Sequence, residues 1–173
     1  MQKIKLYIII FILIVTPCIA SDPYMKYERL NVQYNNTLPL NVFVEMLVQC
    51  EKYDAPLNMI VAISYRESGF KNIVGQNGND IGVMQINRSH VRPNEKFEDY
   101  LIISKNIKEG IRTFQSALRK AKGDLRKALA MYNAGENYNL KNYPKDQWKD
   151  YVDFIIRNYC ISNDADKIKI KVD

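Results

Sequence analysis

The chain has 173 residues, 25 Lys+Arg against 19 Asp+Glu for a net charge of +6, 47% hydrophobic residues, 7 Gly, 6 Pro, 3 Cys and one His. Those totals fit one ordinary globular domain with a real core, and they exclude a disordered chain, a collagen-like chain and a disulfide-dense mini-protein. The single histidine, His90, rules out an HExxH helix, a His-rich metal site and a Cys/His zinc finger; it lies in Arg88-Ser89-His90-Val91-Arg92-Pro93 with no nucleophile elbow, and the isolated glycines build no phosphate loop.

Residues 1–20 carry no acid. Lys3 and Lys5 precede an apolar run from Leu6 to Val15, and Thr16-Pro17-Cys18-Ile19-Ala20 leads into polar Ser21 and Asp22. A basic start, a short apolar stretch and small residues at the exit describe a secretory signal peptide, cleaved after Ala20. The run is short for a membrane span. Two alternatives stay open: an uncleaved anchor, and lipidation of Cys18, which Pro17 disfavours. Only these two would tie the protein to a membrane. The exported chain keeps 23 basic and 19 acidic residues, a net +4, too mild to indicate nucleic acid. It also keeps Cys50 and Cys160, which export allows to pair but which serve equally well as two buried thiols.

Residues 21–39, with Pro23 and Pro39 and several tyrosines, read as an irregular lead-in. A domain over 40–160 follows, and a charged tail over 161–173. Val42, Phe43, Met46, Leu47, Cys50 and Tyr53 fall at helical spacing, and Asp54 and Pro56 end that helix. Leu57 to about Ser68 forms the next helix. Its run Met59-Ile60-Val61-Ala62-Ile63 is apolar on every side, which predicts burial. Gly75, Gly78 and Gly82 then break the helical pattern, and Asn77-Gly78 is a turn signal for a small hairpin. Helical spacing returns at Ile107, Ile111, Phe114, Leu118 and Ala121. Gly123 stops that helix, and Asp124 caps another that runs to about Ala134. After a loop over Gly135–Lys145, Trp148, Tyr151, Val152, Ile155, Ile156 and Tyr159 mark a last amphipathic helix. The fold class is mainly α, with a small loop or hairpin region after the buried helix.

Glu67 ends the most apolar helix of the chain. Dry surroundings and the negative end of the helix dipole both penalise its ionisation. A carboxylic acid that keeps its proton near neutral pH can serve as a general acid. The plainer alternative is a solvated end-of-helix charge beside Arg66.

Three groups of residues change that balance: Glu67-Ser68-Gly69-Phe70, then Asp80-Ile81-Gly82-Val83-Met84-Gln85-Ile86-Asn87, then Gly123-Asp124-Leu125 leading to Ala130-Met131-Tyr132-Asn133-Ala134-Gly135. In this order, over roughly residues 41–159, they closely resemble the soluble-type lytic transglycosylases (SLT domain). The resemblance implies a lysozyme-like fold and cleavage of the β-1,4 bond between N-acetylmuramic acid and N-acetylglucosamine in peptidoglycan. It implies Glu67 as the catalytic acid/base, with the muramic acid C6 hydroxyl as nucleophile and a 1,6-anhydro end as product. Met84 and Gln85 match the family's groove wall, Tyr132 and Asn133 its Tyr-Asn pair, and Tyr151 a tyrosine of the last helix near the acid. Core packing is the rival role for Met84, Tyr132 and Tyr151, and a helix stop for Asn133.

Two positions depart from the family pattern. Gln76 stands where a sugar-binding serine is common, and Gln147 where an acid is common; both can still hydrogen-bond. Asp80 and Asn87 around Gln85 are more similar to small transglycosylases of secretion or conjugation machines, and also to c-type lysozymes. In the latter the matching aspartate is the second catalytic carboxylate, and two facing carboxyls support retaining hydrolysis. A backbone-bonding turn is the plainer role for Asp80. Three functions therefore follow as expectations: a lytic transglycosylase, a lysozyme-like hydrolase using Glu67 and Asp80, or a glycan-recognising subunit without efficient cleavage. No metal or cofactor is implied. The expected partner is the glycan strand, with a secretion or conjugation apparatus as a family-level option, and the expected location is the periplasm or cell envelope of a bacterium.

Overall fold

The computed structural model describes residues 22–135 and 145–162. The expected signal peptide and its Cys18, the loop residues 136–144 and, of the charged tail expected over 161–173, all but the first two residues lie outside the described residues; residues 161 and 162 belong to the last helix instead. The chain divides into two compact units between Leu40 and Asn41. No helix among the described residues is long and apolar enough to cross a membrane.

The first unit corrects the expectation of an irregular lead-in. Helix α1 spans Pro23–Gln33. Asp22 caps it by accepting the Tyr24 N–H at 2.9 Å, and Pro23 occupies the first helical turn, where a missing N–H does no harm. Two left-handed asparagines, Asn35 at φ 56° and Asn36 at φ 57°, then turn the chain. Asn31 Oδ1 accepts the Leu38 N–H at 3.1 Å, and Tyr27 donates to the Leu38 carbonyl at 3.2 Å. The signals were local, and the polar, tyrosine-bearing composition hid them.

The second unit is mainly helical, as expected. Helix α2 spans Leu40–Lys52 and buries Val42, Phe43, Met46 and Cys50 along one stripe. Helix α3 spans Leu57–Ser68, with every residue from Leu57 to Ser64 buried. Glycine at position 69, at φ 60°, ends it by donating its N–H to the Tyr65 carbonyl at 2.8 Å. Strands β1, Asp80–Ile81, and β2, Ile86–Asn87, pair antiparallel, Asp80 opposite Asn87 and Ile81 opposite Ile86. The tight turn of this hairpin is Gly82–Gln85. Asn77-Gly78 turns the chain one step earlier, inside a loop closed by a bridge between Val74 and Ile81.

Helix α4 covers Ile103–Lys120, beginning before the apolar pattern at Ile107 shows it. Helix α5 covers Leu125–Ala134, capped by Asp124, whose side chain accepts the Lys127 N–H at 3.0 Å. Helix α6 covers Lys145–Ser162 and buries Tyr151, Val152, Ile155 and Tyr159. It packs on α3 and α5, and α5 packs on α4. The buried faces of α4 and α5 meet through Ala117, Ala121, Ala128 and Met131. Tyr65 of α3 stacks on Phe154 of α6 with ring centroids 5.8 Å apart, which holds the end of α3 against the last helix. Cys50 is buried, Cys160 is exposed, and no disulfide joins them.

Candidate active site

Glu67 stands on the last turn of α3, where the apolar run gives way to Arg66 and Ser68. It is partly buried, and its carboxyl is withdrawn from water. Tyr151 of α6 donates its hydroxyl to Glu67 Oε1 at 2.5 Å. Withdrawal from water pushes the Glu67 carboxyl up to about 7, and the negative charge of Asp80 adds to the rise. The Tyr151 hydrogen bond and the Arg66 charge pull the other way and do not prevail. Burial, and then the charge of Glu67, hold the Tyr151 phenol well above its ordinary range, so it remains a donor.

Beside Glu67 the hairpin turn forms part of the cleft, and its backbone is fastened from three helices. The buried Asn106 of α4 donates to the Ile81 carbonyl at 2.8 Å and accepts the Met84 N–H at 2.8 Å. Ser64 and Ser68 of α3 both donate to the Val83 carbonyl, at 2.9 and 2.8 Å. Tyr132 of α5 donates to the Met84 carbonyl at 3.1 Å. Gln85 closes the turn on itself, its N–H 3.1 Å and its Nε2 2.8 Å from the Gly82 carbonyl. Each carbonyl from Ile81 to Met84 thus has a donor, as a turn lodged against the core requires. Position 82 admits only glycine: φ is +80°, and a Cβ there would lie 2.1 Å from Asn106 Nδ2.

A cleft of about 430 Å³ opens between these parts. Glu67, Asp80, Gln85, Tyr132 and Asn133 line it. Asn87, Ser89, His90 and Thr113 line it as well. Of the residues singled out from the sequence, Met84 is wholly buried and supports the wall through its backbone, its side chain packed on Gly110. Tyr151 is buried behind Glu67 and reaches the chemistry through that carboxyl. Gln76 is exposed on the loop and does not line the cleft. The side chain of Gln147 lies outside the described residues. Asp80 is fixed by side chains: Asn77 Nδ2 donates to Oδ2 and Asn87 Nδ2 to Oδ1, each at 2.8 Å. Asn87 is itself fixed, since its Oδ1 accepts the Ser89 N–H at 3.1 Å.

Sequence reasoning passed over Ser64, Asn106 and Thr113. A signal existed for the first two, since each is a polar residue at a position whose helical neighbours are core. Among the described residues, no group of three or more His, Cys, Asp or Glu is placed to hold a metal ion.

A helical protein with a protonatable carboxyl in a polar cleft, backed by a tyrosine and faced by a clamped hairpin, has the equipment for acid-assisted cleavage of a polar polymer. The family model of the transglycosylase SLT domain matches residues 47–155, and the chain belongs to that family. Its fold is therefore lysozyme-like, and its action is of the lytic transglycosylase type, on peptidoglycan. Neither the curated proteins nor the solved structures contain a match.

Proposed function

We propose that this protein cleaves the β-1,4 bond between N-acetylmuramic acid and N-acetylglucosamine and leaves a 1,6-anhydro end, with Glu67 as its one acid/base. The observation that carries this reading is the Glu67 carboxyl, in the cleft and held near pKa 7 by burial. Near neutral pH it exists in both states, as a group that first gives and then takes a proton requires. Protonated Glu67 donates to the glycosidic oxygen as the bond to the anomeric carbon breaks. The carboxylate left behind accepts the proton of the muramic acid C6 hydroxyl as that oxygen bonds to the same carbon. Protons balance, and no water is consumed. Because the nucleophile belongs to the sugar, one carboxyl suffices and the second reactant is already in place. Tyr151 holds Oε1, while Oε2 accepts no hydrogen bond from the described residues and is the oxygen assigned to proton transfer.

Gln85 and Asn133 are assigned to sugar binding, and Tyr132 to fixing the Met84-Gln85 wall. Gln76 is assigned to a sugar contact beyond the cleft lining, from its exposed place on the loop. The protein is placed in the bacterial cell envelope on the strength of residues 1–20. Asp80 in the same cleft gives one specific reason for a second reading, a hydrolase in which Asp80 assists.

Mass spectrometry of peptidoglycan digested with the purified protein separates the readings. The expected products end in 1,6-anhydromuramic acid. Reducing ends that have gained a water would replace the first reading with the second. Bound but uncut glycan would leave a recognition subunit.

A further inference from the structure

A second pocket, of about 320 Å³, lies along the other part of α4. Four cations and two carboxylates line it: Lys52, Arg92, Lys105 and Lys108, with Glu95 and Glu109. Both carboxylates are already engaged. Glu95 accepts the Tyr100 hydroxyl at 2.5 Å and pairs with Lys105 at 3.2 Å. Glu109 pairs with Arg92 at 3.1 Å and with Arg112 at 3.8 Å. These pairs occupy Lys105 and Arg92. Lys108 has no ion pair among the described residues although it is half-buried, and Lys52 only rests near the Tyr53 ring, 5.7 Å from its centroid. Among the described residues, the pocket thus presents two ammonium groups outside any ion pair, an exposed one and a half-buried one, beside tyrosine and serine, a setting that attracts carboxylate.

Its position relative to the cleft is the second argument. Glu109 lines this pocket and Thr113 lines the cleft. They stand one helical turn apart, about 6 Å along α4. The segment after β2 is shared in the same way, with Ser89 and His90 on the cleft and Arg92 and Glu95 on the pocket. Peptidoglycan carries short peptides rich in carboxylates on its muramic acid units. An extended peptide covers about 3.5 Å per residue, so a short branch is long enough to cover the roughly 6 Å of helix between Glu109 and Thr113.

We propose that the second pocket binds the carboxylate-bearing peptide branch of the strand whose glycan lies in the cleft, a proposal that rests on the reading of that cleft as a peptidoglycan site. Lys52 and Lys108 hold carboxylates, and Tyr53 packs on the peptide chain.

The test compares soluble peptidoglycan strands with their peptides against the same strands stripped of them by an amidase. For the double variant Lys52→Glu/Lys108→Glu, KM on peptide-bearing strands is expected to rise roughly three- to tenfold, the range of two solvent-accessible charge contacts. Its kcat, and both constants on stripped strands, are expected to match wild type, and Lys108→Arg is expected to behave as wild type. Unchanged KM on peptide-bearing strands, or an equal loss on stripped strands, would overturn the proposal. A direct titration of the isolated peptide, followed by NMR, does not depend on cleavage. Shifts confined to Lys52, Tyr53 and Lys108 are expected, and none at these residues overturns the proposal even if the catalytic reading stands. If instead glycan cleavage fails but the peptide still shifts those signals, only the reading of Glu67 is lost.

Discussion

The end of α3 and the β1–β2 hairpin each bring one carboxylate to the same cleft, and they treat it in opposite ways. The α3 side gives Glu67 a dry setting, a helix C-terminus and a hydrogen bond from Tyr151. The hairpin side gives Asp80 two amide donors, from Asn77 and Asn87, on a partly open loop. The first setting favours the neutral acid, and the second holds its side chain in place through two amides. Two residues of similar chemistry are thereby separated into a proton donor and a fixed polar neighbour. The largest test of that difference is Glu67→Gln. Loss of cleavage by at least about 1,000-fold is expected in a single-turnover assay, because Glu67 is the group assigned to give the proton. The same variant reports on burial. The folded wild type holds its proton up to about pH 7 against an ordinary value of 4.5, so its stability falls as pH rises between those values and levels off above. Relative to Glu67→Gln, that loss is expected to be on the order of 1–3 kcal/mol in urea titrations at pH 4.5 and pH 8.

The hairpin side is broken most effectively from behind. Asn106→Ala leaves the Ile81 carbonyl and the Met84 N–H buried without their partner. A loss of about 2–4 kcal/mol in unfolding free energy is expected, since each stranded group carries its own desolvation penalty. Activity at a temperature where the variant stays folded should fall as well, because Gln85 is positioned by that turn. A variant as stable as wild type would show that the turn holds itself.

Much of this arrangement was legible in the sequence. The all-round apolar run Met59–Ile63 announced a buried helix, and Glu67 at its end was conspicuous because a charge so placed needs a reason. Gly123 and Asp124 marked a stop and a cap that the structure keeps. Asn77-Gly78 announced a turn, although the tight hairpin turn sits at Gly82–Gln85, where Gln85 takes φ 44° without being glycine. What sequence could not supply is direction. Asn106 looks like any polar helix residue until Gly82 is seen pressed against it. Met84 matched a groove wall with core packing as the rival role, and its buried side chain packs on Gly110 while its carbonyl serves the wall. The pairing of Tyr151 with Glu67 joins residues 84 positions apart, and only the packing of α6 on α3 creates it.

Tyr151→Phe probes the α3 side more gently. It removes a hydrogen bond that favours the Glu67 anion, so the Glu67 pKa moves further up and the alkaline limb of the pH–rate profile moves to higher pH. About a tenfold fall in kcat is expected, since the bond also fixes the carboxyl in place. A profile that moved to lower pH would contradict the role assigned to the phenol.

The smallest effect should come from Asp80→Asn, and for that reason it discriminates best between the two chemistries. Asp80 raises the Glu67 pKa by its charge, so neutralising it lets Glu67 ionise more easily and moves the alkaline limb to lower pH. Asparagine can still accept from the Asn77 and Asn87 amides through its one oxygen, so the loop keeps part of its clamp. If the sugar supplies its own nucleophile, cleavage measured below pH 6 should fall less than about tenfold, because Glu67 is already protonated there. If Asp80 attacked the anomeric carbon or held its charge as an essential partner, the loss would approach that of Glu67→Gln at every pH. A loss that is small in acid and grows only as Glu67 ionises assigns Asp80 to tuning its neighbour, while a loss independent of pH makes the hairpin the second half of the catalytic machinery.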